Sequence, residues 1–270
     1  MLRMTAPSYR LGCAGWSIAS MHAGLFGDGE SMLARYATRL NCAEINSSFY
    51  RPHKPETYAR WAAQVPATFR FSVKLPKAIT HDARLRAPAR PIAQFGDEVA
   101  GLGRRLGGVL VQLPPSLKYD RRTALRFFEA LRNRFREPIC CEPRHASWFE
   151  PVLEPVWKEY RIARVGADPA RVPEAAIAAG AGAWRYWRLH GSPQIYSSRY
   201  SDAALQALAV EMRRQVRARC SAWCIFDNTM HGHSIPDALR LQALLTGDTD
   251  AFARIGEYAL EAERLRQSRR

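Results

Sequence analysis

The sequence of 270 residues lacks long apolar runs, and no stretch approaches the roughly 18 to 20 apolar residues that a membrane-spanning helix needs. Its first residues also lack the apolar core of a secretory signal. These absences lead us to expect a cytoplasmic protein with no membrane partner. Hydrophobic residues make up 47% of the chain and aromatic residues 10%, which excludes disorder, collagen and coiled coil.

Cysteine is scarce. The chain has six cysteines, and six in a chain of this length do not make a disulfide framework. Cys220 and Cys224 are separated by three residues, which is the wrong spacing for a zinc knuckle, and no second pair complements them. No metal site is predicted from cysteine. Four cysteines lie inside apolar runs typical of strands, so we expect buried, reduced thiols at Cys13, Cys42, Cys140 and Cys141.

Acidic residues are also few. The chain has 40 Lys and Arg against 25 Asp and Glu, which gives a net charge of +15. Such an excess favours anionic partners, namely nucleic acid, phosphorylated metabolites or acidic surfaces. Because only five of the basic residues are lysines, a codon bias toward arginine is an alternative origin of the charge.

The sequence does contain a regular alternation of short apolar runs and amphipathic segments, which is typical of a parallel sheet covered by helices. Helices are predicted between the strands, and a weak, Ala-rich helix is predicted at 169–183. The stronger helices are predicted at 31–40, 55–64, 91–106, 121–134, 149–160, 202–217 and 235–245. Eight strands are predicted, at 10–16, 42–49, 69–76, 108–114, 139–145, 162–168, 184–191 and 222–228.

Eight strand–helix units in about 250 residues favour an α/β fold of the single-domain (β/α)8 TIM-barrel type. A doubly wound sheet has fewer strands and usually a Gly-rich phosphate loop after the first strand, where this chain places the bulky Trp16. A dinucleotide site is therefore not expected. We place the barrel domain at residues 10–245, an N-terminal extension at 1–9, and a C-terminal helix with a basic tail at 246–270.

Alternation along the strands predicts which side chains point into the barrel. Polar residues fall at inward positions near the carboxyl ends of several strands, where barrel active sites form because the βα loops converge there. Charges that neutralise each other would explain inward polar residues at one strand end. Such residues at five or more strand ends favour a functional pocket. The inward polar residues are Glu44, Asn46, Lys74, Gln112, Glu142, Arg144, Arg188, His190 and Asn228.

The loops after these strands add further candidates. Tyr50 and Arg51 follow the second strand, and an arginine there suits a phosphate or a carboxylate. His81 lies in a loop after the third strand. Trp148 follows the fifth strand and is expected to stack on a sugar or a base.

Several motifs in a fixed order, from about residue 10 to 245, resemble one known family. They include Gly12-Cys13-Ala14-Gly15-Trp16-Ser17, Glu44-Ile45-Asn46-Ser47-Ser48-Phe49-Tyr50, Leu110-Val111-Gln112-Leu113-Pro114-Pro115, Glu142-Pro143-Arg144-His145, Arg188-Leu189-His190-Gly191 and Phe226-Asp227-Asn228-Thr229. Together they are similar to the YecE-like proteins, defined by domain of unknown function 72. The resemblance implies a TIM-barrel fold and leaves the reaction open. Pro143 and Asp227 depart from the family pattern, which usually has Phe and Asn at these places.

The residues predict an enzyme, of hydrolase or isomerase type, that acts on a phosphorylated or other anionic substrate at the barrel mouth. Glu44 and Glu142 are the predicted acid/base groups, and His190 is expected to relay a proton. The predicted substrate-binding residues are Asn46, Tyr50, Arg51, Lys74, His81, Gln112, Arg144, Trp148, Arg188 and Asn228.

Other functions stay open at this point. No cofactor is predicted, and a divalent metal is a lesser alternative because Lys74, Arg144 and Arg188 would surround it with positive charge. A nucleic-acid-binding or nucleic-acid-processing protein would use the excess charge to contact phosphates. A non-catalytic small-molecule sensor would use the same pocket. The sequence carries no signal for the oligomeric state. The ligands of the metal alternative would be Glu44, Glu142, Asp168, Asp227 and His190.

Overall fold

Ten strands form between residues 9 and 267, the part of the chain that our computed structural model describes. The predicted N-terminal extension, apart from Tyr9, and the last arginines of the predicted basic tail lie outside this range. The strands are β1 (Tyr9–Cys13), β2 (Cys42–Ile45), β3 (Arg70–Lys74), β4 (Leu106–Gln112), β5 (Ile139–Glu142), β6 (Ile162–Arg164), β7 (Gly166–Asp168), β8 (Ala179–Gly180), β9 (Trp184–Leu189) and β10 (Ser221–Phe226).

The strands form two sheets, with the orders β1-β10-β9-β7 and β2-β3-β4-β5-β6-β8. Every pairing between strands in these sheets is parallel except that of β6 with β8. Parallel neighbours need a crossover connection, which helices or helical turns supply. The predicted α/β class with parallel strands is confirmed.

Eight α-helices lie within the described range, and most of them connect successive strands. They are α1 (Met32–Tyr36), α2 (Pro55–Ala63), α3 (Ala89–Val99), α4 (Arg121–Arg134), α5 (Glu154–Glu159), α6 (Asp202–Arg217), α7 (Ser234–Thr246) and α8 (Thr249–Gln267). None of the helices within residues 9–267 combines the length and the apolar character that crossing a membrane requires.

Helix α4 shows why these segments are helical. Apolar side chains recur at the spacing of one helix face, so that the opposite face stays polar. The carboxylate of Asp120 accepts a hydrogen bond from the Thr123 amide at 2.9 Å and so caps the first turn. The helix has the bounds that the sequence predicts. Its buried residues are Ala124, Phe127, Phe128 and Leu131.

The sequence prediction was wrong for residues 169–183. This segment forms a short 3-10 turn at Pro173–Ala176 and the strand β8, which runs antiparallel to β6, in place of a weak helix. Gly180 and Gly182 have φ of 80° and 84°. These left-handed values are incompatible with a right-handed helix, so the local backbone overrides the helical preference of alanine.

The predicted sixth strand, 162–168, also differs, because it is divided between the two sheets. Its first half, β6, pairs with β5, and its second half, β7, pairs with β9. Only Val165 separates the halves. One continuous chain segment therefore belongs to both sheets.

The other edge of the two sheets also makes contact, between β1 and β2. Ala14 forms an isolated parallel bridge with Glu44, and the Gly15 amide donates to the Glu44 carbonyl at 2.8 Å. The Tyr36 hydroxyl of α1 accepts from the Cys13 amide at 2.8 Å and donates to the Cys42 carbonyl at 3.0 Å. A single fully buried hydroxyl thus links the two strands.

Two apolar cores follow from this arrangement. The larger one lies between strands and helices. The smaller one consists of side chains from strands of both sheets and from the residue between β6 and β7: Cys42, Leu110, Cys140, Ala163, Val165, Trp184, Tyr186, Trp223 and Ile225. All six cysteines are buried free thiols, as expected for the four that lie in apolar runs.

We expect Tyr36→Phe to destabilise the protein by about 1 to 3 kcal/mol, because it leaves a buried amide and a buried carbonyl without their partner. The measurement is the free energy of unfolding in urea. Tyr119→Phe is the matched control, since the Tyr119 hydroxyl makes no hydrogen bond within the described residues, and it should change stability by less than about 0.5 kcal/mol. Equal stability of the two variants would contradict the proposed link.

Candidate functional site

The guanidinium of Arg188, near the carboxyl end of β9, is fully buried and contacts three carboxylates. Its Nε and Nη2 donate to the two oxygens of Glu44 at 3.0 and 2.8 Å. Its Nη1 donates to Glu142 at 2.7 Å, and Nη2 also donates to Asp227 at 3.1 Å. The carboxylates come from β2, β5 and the residue after β10, so Arg188 connects four strand ends.

Strand register brings these groups to one level. Glu142 pairs with Gln112 of β4, and Glu44 pairs with Ser72 of β3. Because the strands are parallel, their carboxyl ends lie on the same side of the sheets, and the charged side chains meet there. Alternation along β9 turns Tyr186 toward the same side as Arg188.

Glu142 is the second centre of the cluster. Its Oε1 accepts from Nε and Nη2 of Arg144 at 2.9 and 2.8 Å, while Oε2 faces Arg188. Burial alone would raise the pKa of Glu142, but Arg188, Arg144 and His190 together hold it well below its usual value. Glu142 is therefore ionised at neutral pH.

His190 lies between two carboxylates. Its Nδ1 is 3.0 Å from Asp227 and its Nε2 is 3.3 Å from Glu142. Burial would lower the pKa of His190, but Glu142, with help from Asp227, outweighs it and raises the pKa above 6.5. For Asp227, burial acts to raise the pKa, and Arg188 and His190 bring it below the usual value. This arrangement orients the imidazole and favours its charged form.

Glu44 serves a different purpose from the one predicted for it. It is fully buried, and its Oε2 accepts from the Tyr186 hydroxyl at 2.9 Å in addition to Arg188 Nε. The Tyr186 hydroxyl in turn lies 2.6 Å from the Ser72 hydroxyl. Since no surface of Glu44 is accessible, a substrate cannot contact it, and the predicted acid/base role is corrected to holding Arg188 in place.

Lys74 is the cation of this region that lacks a carboxylate partner among the described residues. Its Nζ lies 4.0 Å from the centre of the Phe49 ring, a cation–π contact, and the residue is 6% exposed. Burial and the charge of Arg188 lower the pKa of Lys74 to about 8, although nearby carboxylates act to raise it. An amine of this kind is partly neutral in mildly alkaline solution.

Other predicted residues lie close to this cluster without joining its hydrogen bonds. Gln112 is buried at the end of β4. His81 makes a 2.9 Å hydrogen bond with Thr80 and packs edge-on against Phe49, and burial, Lys74 and Arg144 lower its pKa. Asn46 has a buried side-chain oxygen without a hydrogen-bond partner among the described residues.

Tyr50 and Arg51 lie in the loop after β2 and are exposed, Tyr50 to 76%. The Tyr50 ring packs edge-on against Phe49, which itself contacts Lys74. These two residues therefore lie at the exposed edge of the region and make no contact with the carboxylates of the cluster within the described part of the chain.

The structure corrects the predicted roles of Trp148 and Asn228. Trp148 is 1% exposed, its indole N–H donates to the Leu117 carbonyl at 2.8 Å, and its ring packs among core aromatics, so no face is free to stack on a ligand. Asn228 is fully buried and donates to Asp237 at 2.8 Å and to the Ser198 carbonyl at 3.0 Å. Its side chain links the loop at Ser198 to α7 and makes no hydrogen bond with Arg188 among the described residues.

Asp227 is a central member of the cluster, and the sequence predicts it only as a ligand of the metal alternative. Its departure from the family pattern, which adds negative charge at a strand end, is a second signal for it. Alternation along β3 and β9 places Ser72 on the same side as Lys74 and Tyr186 on the same side as Arg188, but their link to Glu44 could not be read from spacing.

No group of three or more His, Cys, Asp or Glu side chains within the described range is arranged to hold a metal ion. The carboxylates of the cluster instead surround the Arg188 guanidinium, which occupies the place a cation would take. Arg188, Arg144 and Lys74 carry three positive charges against the three negative charges of Glu44, Glu142 and Asp227, before His190 is counted.

The fold and the site together define a class of protein. It is a parallel α/β protein with a buried carboxylate cluster centred on an arginine at its strand ends. Residues 10–259 match the family model described as "Protein of unknown function DUF72", so the chain belongs to this family. The resemblance inferred from the sequence motifs is confirmed.

Relatives with solved structures share this fold. The DUF72 family protein of Enterococcus faecalis V583 superposes with a TM-score of 0.73 and 21% identity, covering 89% of this chain and 98% of that chain. The DUF72 family protein of Thermotoga maritima MSB8 superposes with a TM-score of 0.72 and 21% identity, covering 88% of this chain and 99% of that chain. In sequence, the UPF0759 protein YecE of Escherichia coli K12 is 34% identical over 122 residues, which is 45% of this chain and 44% of that protein.

We expect Arg188→Met to destabilise the protein by about 3 to 5 kcal/mol, because it leaves three carboxylates buried without their shared cation. The free energy of unfolding in urea measures this loss. Arg144→Met is the control, since Arg144 pairs with Glu142 alone and its side chain is 21% exposed, and it should cost clearly less. Similar losses in both variants would show that Arg188 is not the centre of the cluster.

A proton NMR titration should show His190 titrating above 6.5 and His81 below it. Asp227→Asn should lower the pKa of His190 and leave that of His81 unchanged, because Asp227 contributes only to the former. Because the pKa of His190 is higher in the folded than in the unfolded protein, protonation of His190 stabilises the fold. This stabilisation is fully present below the pKa of the unfolded protein and is lost as the pH rises through the pKa of the folded protein. An unchanged His190 titration in Asp227→Asn would refute the pairing.

Proposed function

We propose that the chain is an acid–base enzyme of hydrolase or isomerase type that acts on an anionic small molecule at the carboxyl ends of the strands. The observation that carries this proposal is the imidazole of His190, held between Asp227 and Glu142, in the same charged cluster as the unpaired ammonium of Lys74. Both reaction types require proton transfers and no redox partner, so these groups suffice for them.

The architecture that we propose for this site is a closed (β/α)8 barrel. Three observations support closure: the shared segment 162–168, the contacts of Ala14 and Gly15 with Glu44, and the small core built from both sheets. In such a barrel the βα loops surround the carboxyl ends, and a substrate would enter there.

Lys74 is the group we assign to the negative charge of the substrate. Arg188 and Arg144 already have carboxylate partners, so binding an anion would require them to share or exchange these. Lys74 has no such competitor within the described residues, and it is buried, where a charge pair is stronger than in water. Arg51 at the exposed rim adds attraction at longer range.

His190 is the group we assign to proton transfer. A general acid or base works best with a pKa near the working pH, and His190 is placed above its ordinary value by Glu142 and Asp227. Its contact with Asp227 also fixes the orientation of the ring. Glu142, kept ionised by two arginines, stabilises the imidazolium that forms when His190 takes up a proton.

The test is a screen of phosphorylated and carboxylated metabolites for turnover, followed by mass spectrometry. We expect the wild-type protein to convert at least one compound, His190→Gln to lower kcat about 100-fold or more, and Lys74→Met mainly to raise KM. Lys77→Met is the matched control, since Lys77 follows Lys74 by three residues but is exposed and paired with Asp82.

Three outcomes would contradict the proposal. Binding of a compound without turnover would favour the sensor alternative. Turnover that persists in His190→Gln at the wild-type rate would refute the assignment of the proton-transfer group. Equal KM values for Lys74→Met and Lys77→Met would refute the assignment of the anion-binding group.

A further inference from the structure

A second concentration of positive charge lies at the opposite, amino-terminal ends of the strands. A cavity of about 440 Å³ opens there, and its lining shares no residue with the Arg188 cluster. Among the described residues, Glu137 is the one acidic side chain that lines it. The basic side chains of the lining are Arg10, Arg70, Arg132, Arg136, Arg161 and Arg219.

Three of these arginines hold loops in place through backbone carbonyls. Arg10 donates to the Thr68 carbonyl at 2.7 Å, and Arg70 donates to the Ala67 carbonyl at 2.8 Å. Arg132 donates to the carbonyl of Glu137 at 2.9 Å. A carbonyl satisfies the hydrogen bond but leaves the positive charge uncompensated, so these residues add to the potential of the cavity.

The other three arginines are exposed at the edge of the cavity. The side chains of Arg136, Arg161 and Arg219 have neither a carboxylate partner nor a hydrogen-bond acceptor among the described residues. Their guanidinium groups are therefore available to a ligand, and their planar donor arrangement matches the oxygens of phosphate.

Two of these exposed arginines also lie where an arginine is conformationally unfavourable. Arg161 has φ of 49° and Arg219 has φ of 64°, the left-handed region that glycine adopts freely. Arg161 directly precedes β6, and Arg219 lies two residues before the start of β10. The chain thus places long cationic side chains at two positions where the backbone alone would favour glycine.

Repulsion between the arginines supports the same conclusion. Burial lowers the pKa of Arg70, and the charges of Arg10 and Arg105 lower it further. Burial, followed by the charge of Arg161, lowers the pKa of Arg132 to about 10. A bound anion would relieve this repulsion.

The floor of the cavity is formed by Trp184 and Trp223. Their rings pass so close to Gly108 and Gly107 that a Cβ atom there would lie 2.6 and 2.5 Å away. Trp184 is 5% exposed, and its indole N–H has no acceptor within the described residues. The cavity therefore combines two aromatic side chains with the arginines in its lining.

We propose that this cavity binds a small ligand that carries two or more phosphate groups. The volume is within the range of small-molecule sites, and six arginines against one glutamate exceed what a single phosphate or carboxylate would compensate. This site is distinct from the proposed active site, and neither depends on the other.

The probe is inorganic tripolyphosphate, and binding is measured by calorimetry in the wild-type protein and in Lys74→Met, so that binding at the Arg188 cluster is recognised. Arg161→Gly with Arg219→Gly should weaken binding by about tenfold for each arginine. Because glycine suits both backbone positions, the melting temperature should be unchanged or higher. Arg122→Ala with Arg254→Ala removes the same charge from exposed helical positions and should leave the affinity within about twofold.

Arg136→Gln provides an independent variant at a position with ordinary backbone and should also weaken binding about tenfold. Absence of tripolyphosphate binding, or equal losses in the cavity variants and the helical control, would overturn the proposal. A single-stranded oligonucleotide that binds more tightly with increasing length would overturn it in favour of an extended nucleic-acid surface. Loss of binding in Lys74→Met alone would assign the anion to the other end of the strands.

Discussion

The charge of Arg188 is fully buried, and the arrangement of the strand ends follows from the need to compensate it. A guanidinium removed from water is tolerated only when its donors all meet acceptors and its charge meets opposite charge. Glu44, Glu142 and Asp227 meet this requirement from three different strand ends. The Tyr186 hydroxyl adds a second hydrogen bond to Oε2 of Glu44 and is itself hydrogen-bonded to Ser72, so the hydrogen bonds extend across the interior. Each partner is fixed because the others are fixed.

This compensation determines which groups are available for chemistry. Glu44 is used entirely within the cluster, whereas His190 lies at its edge, in contact with Glu142 and Asp227. Lys74 lies beside the cluster without a partner of its own in the described range. A nearly neutral interior thus presents one imidazole and one ammonium, the two groups to which the proposed function assigns proton transfer and anion binding.

The amino-terminal cavity shows the opposite treatment of charge. There the arginines contact carbonyls or solvent, and among the described residues of the lining Glu137 offsets only part of the repulsion between them. The net charge of +15 is therefore not one property of the molecule. It is balanced at the carboxyl ends of the strands and unbalanced at their other ends.

Local patterns predicted the strands, most helices and the inward direction of Arg188 and Glu142, because alternation and apolar spacing are set by nearest neighbours in sequence. They could not predict which charges meet, since Arg188 and Glu44 are 144 residues apart. Trp148 shows a second limit. An aromatic residue after a strand has the same sequence context whether it faces a ligand or, as here, the core.

The low basicity of Lys74 has a consequence for any anion that the site receives. With a pKa of about 8, this amine is incompletely protonated in mildly alkaline solution, whereas an anion is attracted only to its charged form. Capture of the anion would then draw a proton from the solvent, and release would return it. Binding of the anion is thereby coupled to pH, and the site holds the anion more tightly at pH values below the pKa of Lys74.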